Sequence, residues 1–136
     1  MRREIEGGPL AGLRVLELGT MIAGPFVGRL FADFGAEVLK VEQAEGDPVR
    51  DYGKRYEDKS LYSASIMRNK HNISVNLREE KGQELIKKIV EKCDFVIENF
   101  RPGTLEKWGL GYDDLHVINP GLIMVRVSGF GQTGPY

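Results

Sequence analysis

Leu13-Arg14-Val15-Leu16-Glu17-Leu18-Gly19, then Pro25, then Gly35-Ala36-Glu37-Val38-Leu39-Lys40-Val41-Glu42 are the stretches whose reading decides the fold. Each apolar-rich run is short and bounded by glycine, as expected of a buried strand. Between them, Phe26, Val27, Leu30, Phe31 and Phe34 recur at helical spacing, which predicts a helix over 25–34 with one apolar face. Pro25 is placed at its first position, where a missing N–H costs nothing. Gly35 supplies the stop. Strand, helix and strand with short joints form a unit that pairs in parallel through a right-handed crossover.

The pattern repeats further along. Asn72-Ile73-Ser74-Val75-Asn76-Leu77 alternates like a strand. Residues 78–93 predict a helix with Leu85, Ile86, Ile89 and Val90 buried, acids early and bases late. Asp94 to Phe100 reads as a strand ended by Arg101-Pro102-Gly103. Two short helices are expected over 104–108 and 112–117, the second opened by Asp113 and Asp114, and a last strand over 122–127. A short helix is expected over 60–67. Residues 43–59 form a polar, flexible connection; one this long inside a compact domain is usually functional or disordered. The fold class is therefore α/β, a mostly parallel, Rossmann-like sheet with flanking helices, in one domain over 1–136.

Composition narrows the function classes. The chain has 136 residues, 41% apolar and 29% charged, with 19 Lys+Arg against 20 Asp+Glu. The near balance argues against a nucleic-acid partner, whose footprint is basic. The apolar runs are too short for a bilayer span of roughly 18 residues, so no membrane is expected. No leader is expected at the N-terminus, and the cytoplasm is the expected location. A single cysteine, Cys93, allows no intrachain disulfide and reads as a semi-buried thiol. His71 and His116 lack the spacing of metal ligands, so no metal is expected. Glycine, at 17 residues, exceeds the usual ~7%.

Ligands of such sheets bind beyond the carboxyl ends of the strands. Three loops are candidates: Gly19 to Gly24; Asn99-Phe100-Arg101-Pro102-Gly103; and Gly129 to Gly134. In the first, a tight turn is as good a reading as an anion cradle. In the second, Arg101 suits a phosphate and Phe100 a base, against a rigid turn with a solvated arginine. The third reads equally as a terminus. Glu42 falls where a dinucleotide-binding domain keeps its ribose acid, which gives a nicotinamide-dependent oxidoreductase as one alternative; a strand-end carboxylate in solvent is the favoured reading.

Taken in order, Leu10 to Leu18, Ala23-Gly24-Pro25, Gly35 to Glu42, Gly46-Asp47-Pro48 with Arg50, Asn69-Lys70, Asp94 to Gly103, Leu110-Gly111-Tyr112, Asn119-Pro120 and Ser128 to Pro135 resemble the N-terminal segment of the family III CoA-transferases. That family includes formyl-CoA transferase, carnitine CoA-transferases and α-methylacyl-CoA racemase. The resemblance implies a CoA-binding α/β segment of an enzyme that moves CoA between carboxylic acids through an aspartyl intermediate. Coenzyme A or acyl-CoA is the implied substrate, with a carboxylic acid as its partner and a homodimer as the full-length form. Carried over by position, the implied CoA contacts are Ile22, Ala23, Val75, Asn76, Leu77, Arg78, Asn99, Phe100, Arg101 and Lys107. Ile22 and Gln43 depart from the formyl-CoA transferase pattern. The reactive aspartate follows Gly131-Gln132-Thr133-Gly134-Pro135 in the family, beyond Tyr136, so no catalytic residue is assigned here. An acyl-CoA racemase segment, and a truncated non-catalytic CoA-binding or assembly module, are the alternatives.

Overall fold

A computed structural model describes residues 7–135. Its element order is β1 Arg14–Glu17, α1 Ala23–Asp33, β2 Glu37–Glu42, a 3-10 turn Pro48–Asp51, β3 Arg55–Tyr56, β4 Lys59–Ser60, α2 Leu61–Ile66, β5 His71–Ser74, α3 Glu80–Val90, β6 Phe95–Glu98, α4 Thr104–Lys107, α5 Tyr112–Ile118 and β7 Ile123–Arg126. The main sheet runs β5-β2-β1-β6-β7. Every pair in it is parallel, with Val15 opposite Val38, Leu16 opposite Val96, Val41 opposite Ile73 and Ile97 opposite Val125. This is the doubly wound order, which reverses direction at β1 and opens a crevice at the carboxyl ends of the strands.

Both sheet faces are covered, which is why the central strands read as apolar runs. Leu16, Leu18, Val41 and Val96 pack with Ile86 and Val90 of α3, Leu105 of α4 and Leu115 of α5. On the opposite face Val15, Val38 and Ile97 pack with Ala32 of α1 and Ala36. Helix α1 ends in a Schellman motif: Ala36 N–H donates to Phe31 O at 3.0 Å and Gly35 N–H to Ala32 O at 3.1 Å. Gly35 sits there at φ +102, a conformation that glycine adopts without strain.

Several expectations change. Helix α1 begins at Ala23, so Pro25 is its third residue rather than its first. Its buried face is made of small residues, Gly24, Gly28 and Ala32, with Pro25. Of the expected apolar face, Val27 and Phe31 pack against the core of Val15, Val38 and Ile97, whereas Phe26, Leu30 and Phe34 are exposed and continue Ile22 in one outward stripe. The small face lets the helix backbone approach the sheet closely, which bulky side chains would prevent. In α3 Leu85 is likewise exposed, while Ile86 and Val90 are buried. Strand β5 stops at Ser74, and Val75 to Arg78 form a loop. There the Asn76 side chain accepts from Arg78 N–H at 3.1 Å and donates to Glu79 at 2.9 Å, turning the chain into α3. Residues 43–59 carry the 3-10 turn, capped by Asp47, and the β3–β4 hairpin, whose turn residues Glu57 and Asp58 both have positive φ. The short helix expected over 60–67 is α2.

Candidate functional site

A cleft of about 230 Å³ opens at the carboxyl ends of β1, β2 and β6. One wall is Val75, Asn76, Leu77 and Arg78, the loop after β5. Another is aromatic, Phe100 and Trp108, whose rings meet edge to face with centroids 5.5 Å apart. The floor is apolar, from Leu18 and Val41, and Thr20 reaches it from the β1–α1 loop. The far rim is the segment Glu42 to Pro48. Apolar walls with a few convergent polar groups are the usual build of a small-molecule site.

Five of the ten expected contacts therefore line one cleft: Val75, Asn76, Leu77, Arg78 and Phe100. The other five do not line it. Ile22 is exposed just before α1, and Ala23 opens that helix. Arg101 and Lys107 are exposed at the two ends of the segment that carries α4. Arg101-Pro102-Gly103-Thr104 is a type II turn, with Thr104 N–H donating to Arg101 O at 3.0 Å and Gly103 at φ +82. Asn99 has a different use for its amide. Its Oδ1 accepts from Thr20 N–H at 2.8 Å and its Nδ2 donates to Thr20 O at 3.1 Å, so β6 holds the β1–α1 loop. Gly19 and Gly24 make room for it: a Cβ on either would lie within 2.8 Å of Asn99 Oδ1. The tail loop, Gly129 to Gly134, does not line the cleft.

Trp108 escaped the sequence reading, although it is the chain's one tryptophan and closely follows the Asn99–Gly103 turn. Glu42, expected in solvent as a strand-end carboxylate, is instead only 7% exposed. Arg50 grips its carboxylate with two hydrogen bonds, at 2.7 and 2.6 Å, and Asp47 N–H adds a third at 2.9 Å. Burial opposes ionisation of Glu42, but the Arg50 fork and the Asp47 N–H outweigh it and hold the carboxyl below the usual range. A carboxylate engaged in this way is not free to take a ribose diol, which removes the observation behind the nicotinamide alternative.

Beneath the β1–α1 loop lies a second cluster. The side chains of Glu17, Lys40 and Lys70 are fully buried and that of Asp47 almost so. Lys40 Nζ is 3.2 Å from Glu17 and 2.9 Å from Asp47; Lys70 Nζ is 2.6 Å from Glu17. The Glu17 oxygens meet these ammoniums as ion pairs rather than as aligned hydrogen bonds. Burial pulls the Lys70 ammonium below the usual lysine range, against the pull of Glu17. Gly28 of α1 covers Glu17 so closely that a Cβ there would lie 1.9 Å from Oε2. Among the described residues no group of three or more His, Cys, Asp and Glu is arranged to hold a metal ion. Among the same residues no helix is long and apolar enough to cross a membrane.

Fold and cleft together define a doubly wound α/β domain with a cleft at the carboxyl ends of its strands. The chain belongs to CoA-transferase family III, whose family model matches residues 10–136. It is 59% identical over 130 residues to succinyl-CoA–D-citramalate CoA-transferase of Chloroflexus aurantiacus, covering 94% of this chain and 32% of that protein. It is 42% identical to mouse succinyl-CoA:glutarate CoA-transferase over 129 residues, covering 93% of this chain and 30% of the relative. Among solved structures, a CAIB/BAIF family protein from Brucella suis matches with a TM-score of 0.89 and 44% identity, over 96% of this chain and 36% of that one. The chain thus spans about a third of the length of these relatives.

Proposed function

We propose that this chain forms the CoA-holding face of a CoA-transferase that moves CoA from an acyl-CoA to a carboxylic acid through an aspartyl intermediate. The observation that carries the reading is the strand-end cleft, where the Val75–Arg78 loop meets the Phe100–Trp108 aromatic wall. An adenine suits the aromatic and apolar surfaces. Arg78 on the rim, with Arg101 and Lys107 outside it, offers cations to the 3′-phosphate and pyrophosphate. Ile22, Ala23 and the Asn99 backbone are the further proposed contacts.

In the proposed reaction an aspartate attacks the thioester carbonyl and expels CoA thiolate, leaving a mixed anhydride. The thiolate then attacks the aspartyl carbonyl and releases the donor acid. The acceptor carboxylate displaces CoA from the aspartyl thioester, and the thiolate takes the new acyl group and frees the aspartate. No carboxylate among the described residues is assigned that role: Glu17, Asp47 and Glu98 are buried and ion-paired, as is Glu42. The part played by this chain is to bind and orient the CoA moiety.

The donor is proposed to be succinyl-CoA and the acceptor a short dicarboxylic acid, because the two relatives named above are succinyl-CoA transferases to citramalate and glutarate. Their activity also supports a transferase over a racemase. Calorimetric titration of the chain with CoA and with NAD tests the binding step. CoA is expected to bind and NAD not to; binding of NAD without CoA refutes the proposal.

A further inference from the structure

The sequence motifs Leu16-Glu17-Leu18, Val38 to Val41, Gly46-Asp47-Pro48 and Asn69-Lys70 are far apart in the chain, and the proposed substrate contacts do not account for the charged residue that each carries. The structure gathers one charged residue from each into the buried cluster of Glu17, Lys40, Asp47 and Lys70. Two acids and two bases make it neutral in sum. Removing four charges from water is costly, and apolar packing of equal volume often serves stability as well or better. Stability alone is therefore a weak reason for such a cluster, and its contacts point to another.

Three of the four side chains hold the backbone of the β1–α1 loop and of the helix turn that follows it. Lys40 Nζ donates to Gly19 O at 2.6 Å. Asp47 Oδ1 accepts from Met21 N–H at 3.1 Å. Lys70 Nζ donates to Pro25 O at 2.6 Å. Glu17 lies between the two lysines and fixes both. The first two contacts fall at the start and middle of the β1–α1 connection, and the third in the first turn of α1. Met21, in the middle, sits at φ +61, a left-handed conformation that a residue with a side chain resists. Thr20 beside it lines the cleft, and α1 begins immediately afterwards with no side-chain cap. Asn99 holds Thr20 from the other side.

We propose that Glu17, Lys40, Asp47 and Lys70 are positioning residues: a buried, charge-neutral clamp that fixes the β1–α1 loop and the first turn of α1 against the cleft and thereby sets its affinity for acyl-CoA. The affinity part rests on the acyl-CoA reading of the cleft; the clamping part does not. Glu17, Lys40 and Lys70 do not line the cleft, and Asp47, which lies on its rim, is assigned the same indirect role. They act through the loop backbone.

The test uses two charge-balanced double variants of the chain, so that no ion is left buried without a counter-charge. Lys40→Met with Asp47→Asn removes the hold on Gly19. Glu17→Gln with Lys70→Met removes the hold on Pro25 and serves where the first pair fails to fold. Two readouts are taken, amide hydrogen exchange and calorimetric affinity for succinyl-CoA. In the first pair the amides of Thr20 and Met21 are expected to exchange about tenfold faster, and in the second that of Phe26, while Val96 and Ile97 in β6 keep their protection. Affinity is expected to fall about tenfold, or ~1.4 kcal/mol. Unchanged exchange in the loop overturns the clamp. Equal acceleration in β6 also overturns it, because the cluster then merely supports the fold. Wild-type affinity with a loosened loop overturns its role in binding. Absence of succinyl-CoA binding by the unaltered chain refutes the cleft reading instead, and leaves the exchange result to decide the clamp.

Discussion

Replacing Gly28 by alanine is the sharpest perturbation available. In an ordinary helix interior, glycine to alanine stabilises by about 0.8–1 kcal/mol. Here the added Cβ would meet Glu17 Oε2 at 1.9 Å and Cδ at 2.8 Å. Something must move. If α1 lifts from the sheet, the cost is that of overpacking, about 1–3 kcal/mol. If Glu17 moves, it leaves Lys70 at 2.6 Å and Lys40 at 3.2 Å, and breaking a buried pair costs about 3–5 kcal/mol. The chain takes the cheaper route, so the net loss after the propensity gain is expected at about 0–2 kcal/mol. At roughly 4 °C per kcal/mol for a domain of this size, the thermal midpoint falls by up to about 8 °C. Urea denaturation is expected to show a lower midpoint at unchanged slope. Gly129→Ala, where a Cβ meets nothing within 4 Å, is the control. A Gly28→Ala chain more stable than the parent by the full helix-propensity gain of about 0.8–1 kcal/mol would refute the close approach of α1 to Glu17.

Other outcomes follow from the same geometry. Arg78→Ala is expected to weaken CoA binding by about 1.5–3 kcal/mol through loss of a charge-assisted contact, and Arg101→Ala by a similar amount, as read by calorimetry; unchanged affinity removes that arginine from the site. The hydrogen bond from Arg68 holds the Asp33 carboxyl below the usual range, against some burial and with help from Arg29 and Asn69. Because its folded pKa is depressed, this stability is present above the unfolded value and lost as pH falls through the folded one. The acid limb of a stability–pH curve below about pH 4 should therefore flatten in Asp33→Asn. Burial pushes the Cys93 thiol up to about 11. A disulfide reagent at pH 8 should thus modify the native chain slowly and the urea-unfolded chain at the rate of a free cysteine.

The sheet was legible because its central strands are covered on both faces, so Val15-Leu16 and Val38-Leu39 stand out as short apolar runs with glycine at their ends. The face of α1 was legible only in part. Phe26, Val27, Leu30, Phe31 and Phe34 carry the helical period, yet of these only Val27 and Phe31 pack inward, beside Gly24, Gly28 and Ala32. Hydrophobic periodicity reveals a stripe without saying which stripe meets the sheet, and a close-packed helix buries its smallest residues. Half of the expected CoA contacts came together in one cleft, because the loops after parallel strands converge there. The charged cluster stayed hidden because its members are brought together only by the parallel register and the return of the chain after β2 and α2. One signal was present: Glu17 and Lys40 interrupt apolar strands at positions that share a sheet face with Val15 and Val38, where a solvated charge has no place.

The two ends of α1 are held by ion pairs of opposite character. At its carboxyl end, Asp33 joins Arg29 and Arg68, and the Arg68 side chain is 44% exposed. At its amino end, the lysines and acids beneath Gly28 are sealed from solvent. Dissolved ions reach the first set and not the second. Raising the ionic strength should therefore loosen the attachment of α2 to α1 while the loop beside the cleft keeps its shape, so that the helix is sensitive to salt at one end and indifferent to it at the other.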